Sequence, residues 1–198
     1  MATEWKILAK ARIDFADLLE GLNDEQLATQ SLCEEWSVLD VGGHLVSLVE
    51  LSPLQLTAGI AKNRGNSDAF LATKAKDFSS EGAGVVAKKL RAKAGKPLRP
   101  FSEASMVVDT AVHTLDVTRA LGLENALDPQ VQLVALDFSA GELIKKLKEG
   151  TPRLETTDSD WTQGTGLDVR GTSEALLLAL NGREVSDELE GEGVRLLP

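Results

Sequence analysis

Residues 4–20 place Trp5, Leu8, Ala11, Ile13, Phe15, Leu18 and Leu19 close to helical spacing, and Gly21 ends the pattern. Asp24 opens a short helical turn, and Ser31-Leu32-Cys33 reads as a connector. Ser37 followed by Asp40 resembles a capping box, with Asp in place of the usual Glu. Val38, Val41, Leu45, Leu48, Val49, Leu51, Leu54 and Leu56 then predict a long second helix over 37–61, kinked at Pro53. Residues 62–80 are polar and read as a loop with a helical segment near Phe70. Val85, Val86, Leu90 and Ala94 predict a third helix, broken at Gly95-Lys96-Pro97. Ser102 opens a fourth, through Met106, Val108, Val112, Leu115 and Val117 to Gly122. Asp128-Pro129, an N-cap followed by proline at the first helical position, opens a fifth that runs to about Glu149 before Gly150.

The pattern changes after Gly150. Residues 153–157 and 167–170 alternate as strands do, with turn-rich Asp158-Ser159-Asp160 and Gly164-Thr165-Gly166 nearby. Thr172 caps a last helix through Leu176, Leu177, Leu178 and Leu180, ended by Asn181-Gly182, and Val194-Arg195-Leu196-Leu197 reads as one more strand. The chain is expected to be mainly α: a helical bundle over 1–150, then a small α/β domain over 151–198 that is too small to stand alone.

Charge narrows the partners. The formal net charge of -10 repels phosphate backbones and anionic membranes. The one basic run, Lys88 to Arg99, lacks interleaved aromatics in a chain with no Tyr, and reads as a solvated face. No nucleic-acid or membrane partner is expected. The single cysteine excludes an intramolecular disulfide, and no signal peptide or apolar run of ~18 residues is visible. Together these suggest a soluble cytoplasmic protein; monomer and homodimer both fit.

The chain has two histidines, His44 and His113, each on a strongly apolar helix. Asp109 lies four residues before His113 and so shares its helix face, and Asp116 extends the stripe. A carboxylate and an imidazole at that spacing, closed by His44 from a facing helix, suit a divalent metal with open positions. A surface Asp/His pair and a hydrogen-bonded core histidine are the plainer reading of the same residues.

Three blocks, taken together, carry a family resemblance. Cys33-Glu34-Glu35-Trp36-Ser37-Val38-Leu39-Asp40-Val41-Gly42-Gly43-His44-Leu45 resembles the C-x-x-W-[ST]-V-x-D-V-x-x-H-L signature of the DinB-like superfamily, nearest its mycothiol-dependent maleylpyruvate isomerase branch. Asp109 to Asp116 is similar to that branch's carboxylate-x-x-V-H-x-x-D block. Asp158-Ser159-Asp160-Trp161, Val169-Arg170-Gly171 and Ala175 to Arg183 resemble its C-terminal region.

The resemblance implies a DinB-like four-helix bundle with a divalent metal, usually zinc, held by His44, Asp109 and His113. It implies mycothiol as cofactor and isomerase or S-transferase chemistry on a small electrophilic, carboxylate-bearing substrate, through a metal-activated thiolate. Arg183 corresponds to an arginine on a lid-like C-terminal domain, a clamp for the substrate carboxylate; a helix C-terminal dipole partner is its other role. The isomerases imply Glu where this chain has Asp109. Either the helices approach more closely, which Gly42 and Gly43 permit, or the site is looser, or Asp116 supplies the oxygen in its place. Asp116 has two further roles, orienting His113 or pairing with Arg119 or Arg183. Asp40 reads as a helix cap, or as a partner orienting His44. Cys33 reads as a buried structural thiol. A non-catalytic metal-binding module for a thiol or small ligand is the alternative, and metal-assisted hydrolysis with Asp116 as base is a third reading.

Overall fold

Capping side chains set where most helices begin. Asn23, Ser37, Ser52, Asn66 and Ser102 each accept a bond from the backbone N–H three residues on. The computed structural model describes residues 3–125, 127–147 and 150–198. The chain divides into two compact units, Met1–Leu127 and Asp128–Pro198. The change of character after Gly150 thus falls inside the second unit, which already begins at Asp128.

The first unit is helical: α1 (Glu4–Glu20), α2 (Asp24–Ala28), α3 (Val38–Glu50), α4 (Pro53–Lys62), α5 (Ser67–Ser79), α6 (Ala83–Ala92) and α7 (Glu103–Ala120). α1 packs against α6 and α7, and α3 packs against the same two, so these four close a bundle. Leu8, Phe15, Leu19, Leu45, Val49, Leu90, Val107 and Leu115 fill it. α5 lies along α3.

Two expectations are corrected here. The helix expected over 37–61 is two helices. Ser52, which precedes a proline, is held extended at φ -86° and ψ 157°, and its side chain caps the next helix in a box with Gln55. Pro53 therefore begins α4 instead of kinking α3. Over 62–80, expected as a loop with a helical segment near Phe70, that segment extends to a full helix, α5, whose Phe70, Ala75 and Ser79 are buried. Its apolar stripe is thin because Gly43 brings it very close: a Cβ there would stand 2.1 Å from the carbonyl oxygen of Ala75. The glycines before His44 thus admit neighbours other than the Asp109 helix, since a Cβ on Gly42 would meet Leu19 on α1 and Val86 on α6.

The second unit holds α8 (Pro129–Lys146), strands β1 (Arg153–Thr156), β2 (Thr162–Gln163) and β3 (Asp168–Gly171), and α9 (Ser173–Leu180). Lys148 and Glu149, where α8 was expected to end, lie outside the described residues. The sheet order is β2-β1-β3, with β1 antiparallel to β2 and parallel to β3, Leu154 opposite Val169. Leu154, Val169 and α9 form its core. The expected strand over 194–197 is replaced by a 3-10 turn, Glu192–Leu196. The extended pairing comes earlier, where Glu190 exchanges both backbone bonds with Arg170 at 2.8 Å. Among the described residues, no helix is long and apolar enough to cross a membrane.

Candidate metal centre

α3 and α7 bring three donor atoms to one point. The Ser37 cap fixes the start of α3 and sets His44 two turns in, where it is 5% exposed. Asp109 and His113 stand one turn apart on α7. Asp109 Oδ1 lies 3.3 Å from His44 Nε2 and 3.8 Å from His113 Nε2, and all three atoms are within 4.8 Å of one another. A tetrahedral site with bonds of about 2.0–2.1 Å separates its donors by roughly 3.3 Å. The N,N,O set suits zinc and other borderline divalent ions. The second oxygen of Asp109 is buried without a hydrogen-bond partner among the described residues, so neither carboxylate oxygen is tied up there by a protein donor other than the imidazoles. The residues fit a divalent ion.

Asp116 stands on the other side of His113. Its Oδ2 lies 3.0 Å from His113 Nδ1, and the residue is fully buried. It is placed to orient the ring. An Nδ1–H given to Asp116 leaves the Nε2 lone pair facing Asp109 and His44. A second possible donor trio, Cys33, His113 and Asp116, shares this edge.

Burial pulls the His113 imidazolium down, but its bonds to Asp116 and Cys33 and the charge of Asp109 outweigh it and push the pKa up to about 10. Burial pushes the Asp109 carboxyl up, and the charges of His44, His113 and Arg12 with the His44 bond outweigh that, holding it below its usual range.

The remaining sequence candidates are placed as follows. Asp40 serves the cap: it accepts from Ser37 N at 3.1 Å and from the Ser79 hydroxyl at 2.5 Å, tying α3 to α5. Cys33 is half-buried and donates to Asp116 Oδ2 at 3.0 Å, a more specific placement than a structural thiol needs. Arg183 lies in the second unit, just past α9. Gly182, at φ 75°, and Arg183 close a Schellman motif, donating their backbone N–H to Ala179 and Leu178. Arg183 Nη1 donates to Asn181 O at 3.0 Å, as a helix C-terminal partner does. The basic run is engaged at five positions: Lys89 pairs with Glu81, Arg91 with Asp17 and Glu20, Lys93 with Glu50, Arg99 with Glu103, and Lys96 donates to Val49 O.

Two residues had no role in the sequence reading. Trp36 lies against both imidazoles, with ring centroids 5.0 Å from His44 and 5.9 Å from His113. Its signal was its fixed place in the C-x-x-W block. Arg12 is fully buried, donates Nη1 to the carbonyls of Ala94 and Lys96, and acts electrostatically on Asp109. Burial lowers its pKa to about 10, partly offset by Asp109. Its signal was a cation inside the stripe Leu8, Phe15, Leu19, at helical spacing from each.

The family of the mycothiol maleylpyruvate isomerase N-terminal domain matches residues 8–121, which include all three donors. A crystal structure of a mycothiol-dependent maleylpyruvate isomerase shares the fold, with a TM-score of 0.57 at 12% identity over 96% of this chain and 91% of that one. A point mutant of a mycothiol-dependent maleylpyruvate isomerase aligns with a TM-score of 0.47 at 12% identity, over the same shares of the two chains. No curated protein sequence matches the chain.

Proposed function

The chain belongs to the mycothiol maleylpyruvate isomerase N-terminal domain family, and from that premise we propose that it is a metal- and mycothiol-dependent enzyme acting on a small electrophilic carboxylate, by isomerisation or S-transfer. The observation that carries the reading is the convergence of one donor atom each from His44, Asp109 and His113 within 4.8 Å of one another. A divalent ion bound there, zinc by the family's habit, supplies one piece of chemistry: a coordinated thiol becomes a thiolate at neutral pH.

The protein's own groups do the rest. Asp116 accepts the Nδ1 proton of His113, so that the ring presents its other nitrogen. Asp109 brings the one negative charge of the trio, which leaves a divalent site net positive and attractive to thiolate and carboxylate. Trp36 lies against both rings and limits how far they can turn. Arg183, its backbone fixed by the Schellman motif, is the group we assign to the substrate carboxylate. The hydrolytic reading loses its base, because Asp116 is fully buried on the Nδ1 edge of His113, away from the three donor atoms.

Elemental analysis of protein purified without chelator, followed by maleylpyruvate turnover with and without mycothiol, tests the reading. Stoichiometric divalent metal and mycothiol-dependent turnover, both lost in His44→Ala and His113→Ala, are expected. Metal without turnover makes the chain a binding module for a thiol or small ligand. Protein that neither carries metal nor takes it up on titration sinks both.

A further inference from the structure

The connector between α2 and α3 is built more tightly than a link needs to be. Gln30 Nε2 donates to the carbonyls of Cys33 and Trp36 at 2.7 and 2.9 Å. Ser31 Oγ accepts from Cys33 N at 3.1 Å, and Leu32 N donates to the backbone carbonyl of Asp116 at 3.3 Å. Glu35 takes a left-handed φ of 62°, uncommon for a side-chain-bearing residue, and the turn it makes sets Trp36 against the imidazoles. This frame holds Cys33 so that its thiol donates to Asp116 Oδ2 at 3.0 Å, the same oxygen that faces His113 Nδ1 at 3.0 Å. Sγ and Nδ1 are 3.5 Å apart, so the three atoms form a closed triangle.

We propose that Cys33 is a positioning residue for His113, acting through Asp116; the inference rests on the metal reading above. A carboxylate can turn about its Cα–Cβ and Cβ–Cγ bonds. The thiol donor on Oδ2 fixes that oxygen toward Nδ1, and Oδ2 in turn fixes the Nδ1–H tautomer and the ring angle. The opposite tautomer puts a proton on Nε2, where the metal must bind. His44 cannot share this task, because its Nδ1 has no hydrogen-bond partner among the described residues. The orientation of the pair therefore depends on the His113 edge.

Zinc affinity, measured by competition with a chromophoric chelator, reads this role without reference to turnover. Cys33→Ala is expected to weaken binding on the order of tenfold, within the roughly 10–100-fold range of lost outer partners. Cys33→Ser, which restores a donor, is expected to stay within about threefold of the natural chain, and Asp116→Asn to lose at least as much as Cys33→Ala. If Cys33→Ala does not fold, Cys33→Val, closer in volume and equally without a donor, takes its place. Equal zinc affinity in the natural chain and in the donor-free variant overturns the inference while leaving the metal reading intact. A natural chain that binds no zinc overturns the metal reading instead. A cobalt-loaded protein with a strong thiolate-to-metal band in the near ultraviolet, absent in Cys33→Ser, also overturns it, since Cys33 would then be a ligand in the trio it forms with His113 and Asp116.

Discussion

Asp109 Oδ1 lies 3.3 Å from His44 Nε2, a contact between two helices whose residues are 65 positions apart in the chain. It is made with the short acidic side chain where the family resemblance implies the long one. Asp109→Asn removes the negative charge but keeps the shape, and is expected to cut zinc affinity by more than the roughly 10–100-fold that an outer partner is worth. Asp109→Glu adds a methylene to a gap that is already closed, so it should bind more weakly than the natural chain and more tightly than Asp109→Asn. Chelator competition on the three proteins decides it. Tighter binding by Asp109→Glu would show that Asp109 reaches the ion poorly.

The metal-free protein should carry a pH signature from His113. Its folded pKa, pushed up to about 10 from the ordinary 6.5, means that the folded state holds this proton more tightly than the unfolded chain. That stability is fully present below about 6.5 and is lost as pH rises toward 10. Asp109, held below 3.8, works in the other direction: its contribution is present above that value and is lost as pH falls through the lower folded pKa. Urea midpoints of chelator-treated protein, taken from pH 5 to 10 against His113→Gln, are expected to converge as pH rises. A gap that widens instead would rule out the protonated-His113 account. With zinc present the trend inverts, because the ion and the proton compete for Nε2 and affinity grows with pH.

Gly43 tests how far the site depends on helix packing. A Cβ there would stand 2.1 Å from Ala75 O and 2.8 Å from Ser79 N, both backbone atoms that cannot swing aside. Gly43→Ala is expected to cost about 3 kcal/mol, lowering the melting temperature by roughly 10 °C. It should also weaken zinc binding, because His44 is the next residue. Gly141→Ala on α8, where a Cβ meets nothing within 4 Å, serves as the control and should leave stability equal or raise it by up to ~1 kcal/mol. Equal melting temperatures for Gly43→Ala and the natural chain would contradict the close approach of α3 and α5.

Much of the helical framework could be read directly. α1, α6, α7 and α9 follow from apolar spacing and from local stop and cap signals, which act within four or five residues. The errors have local physical causes. Pro53 was read as a kink because the periodicity runs on past it, whereas the Ser52–Gln55 box restarts the helix there. α5 was read only as a helical segment near Phe70 within a loop, because it buries only Phe70, Ala75 and Ser79, and its contact is made backbone to backbone across a glycine. The two-residue strand β2 is too short to show an alternation.

The sequence by itself determined which residues could ligate: two histidines in the whole chain, with Asp109 and Asp116 at helical spacing from His113. Spacing along one helix reports a shared face, and nothing about what comes from another helix or which nitrogen a ring presents. Only the tertiary structure decided that Asp109 meets both Nε2 atoms while Asp116 takes Nδ1, that Cys33 and Trp36 come down on His113 from a connector, and that Arg12 is buried within the electrostatic reach of Asp109. Each of these depends on contacts between segments tens of residues apart, fixed by how α1, α3 and α7 pack.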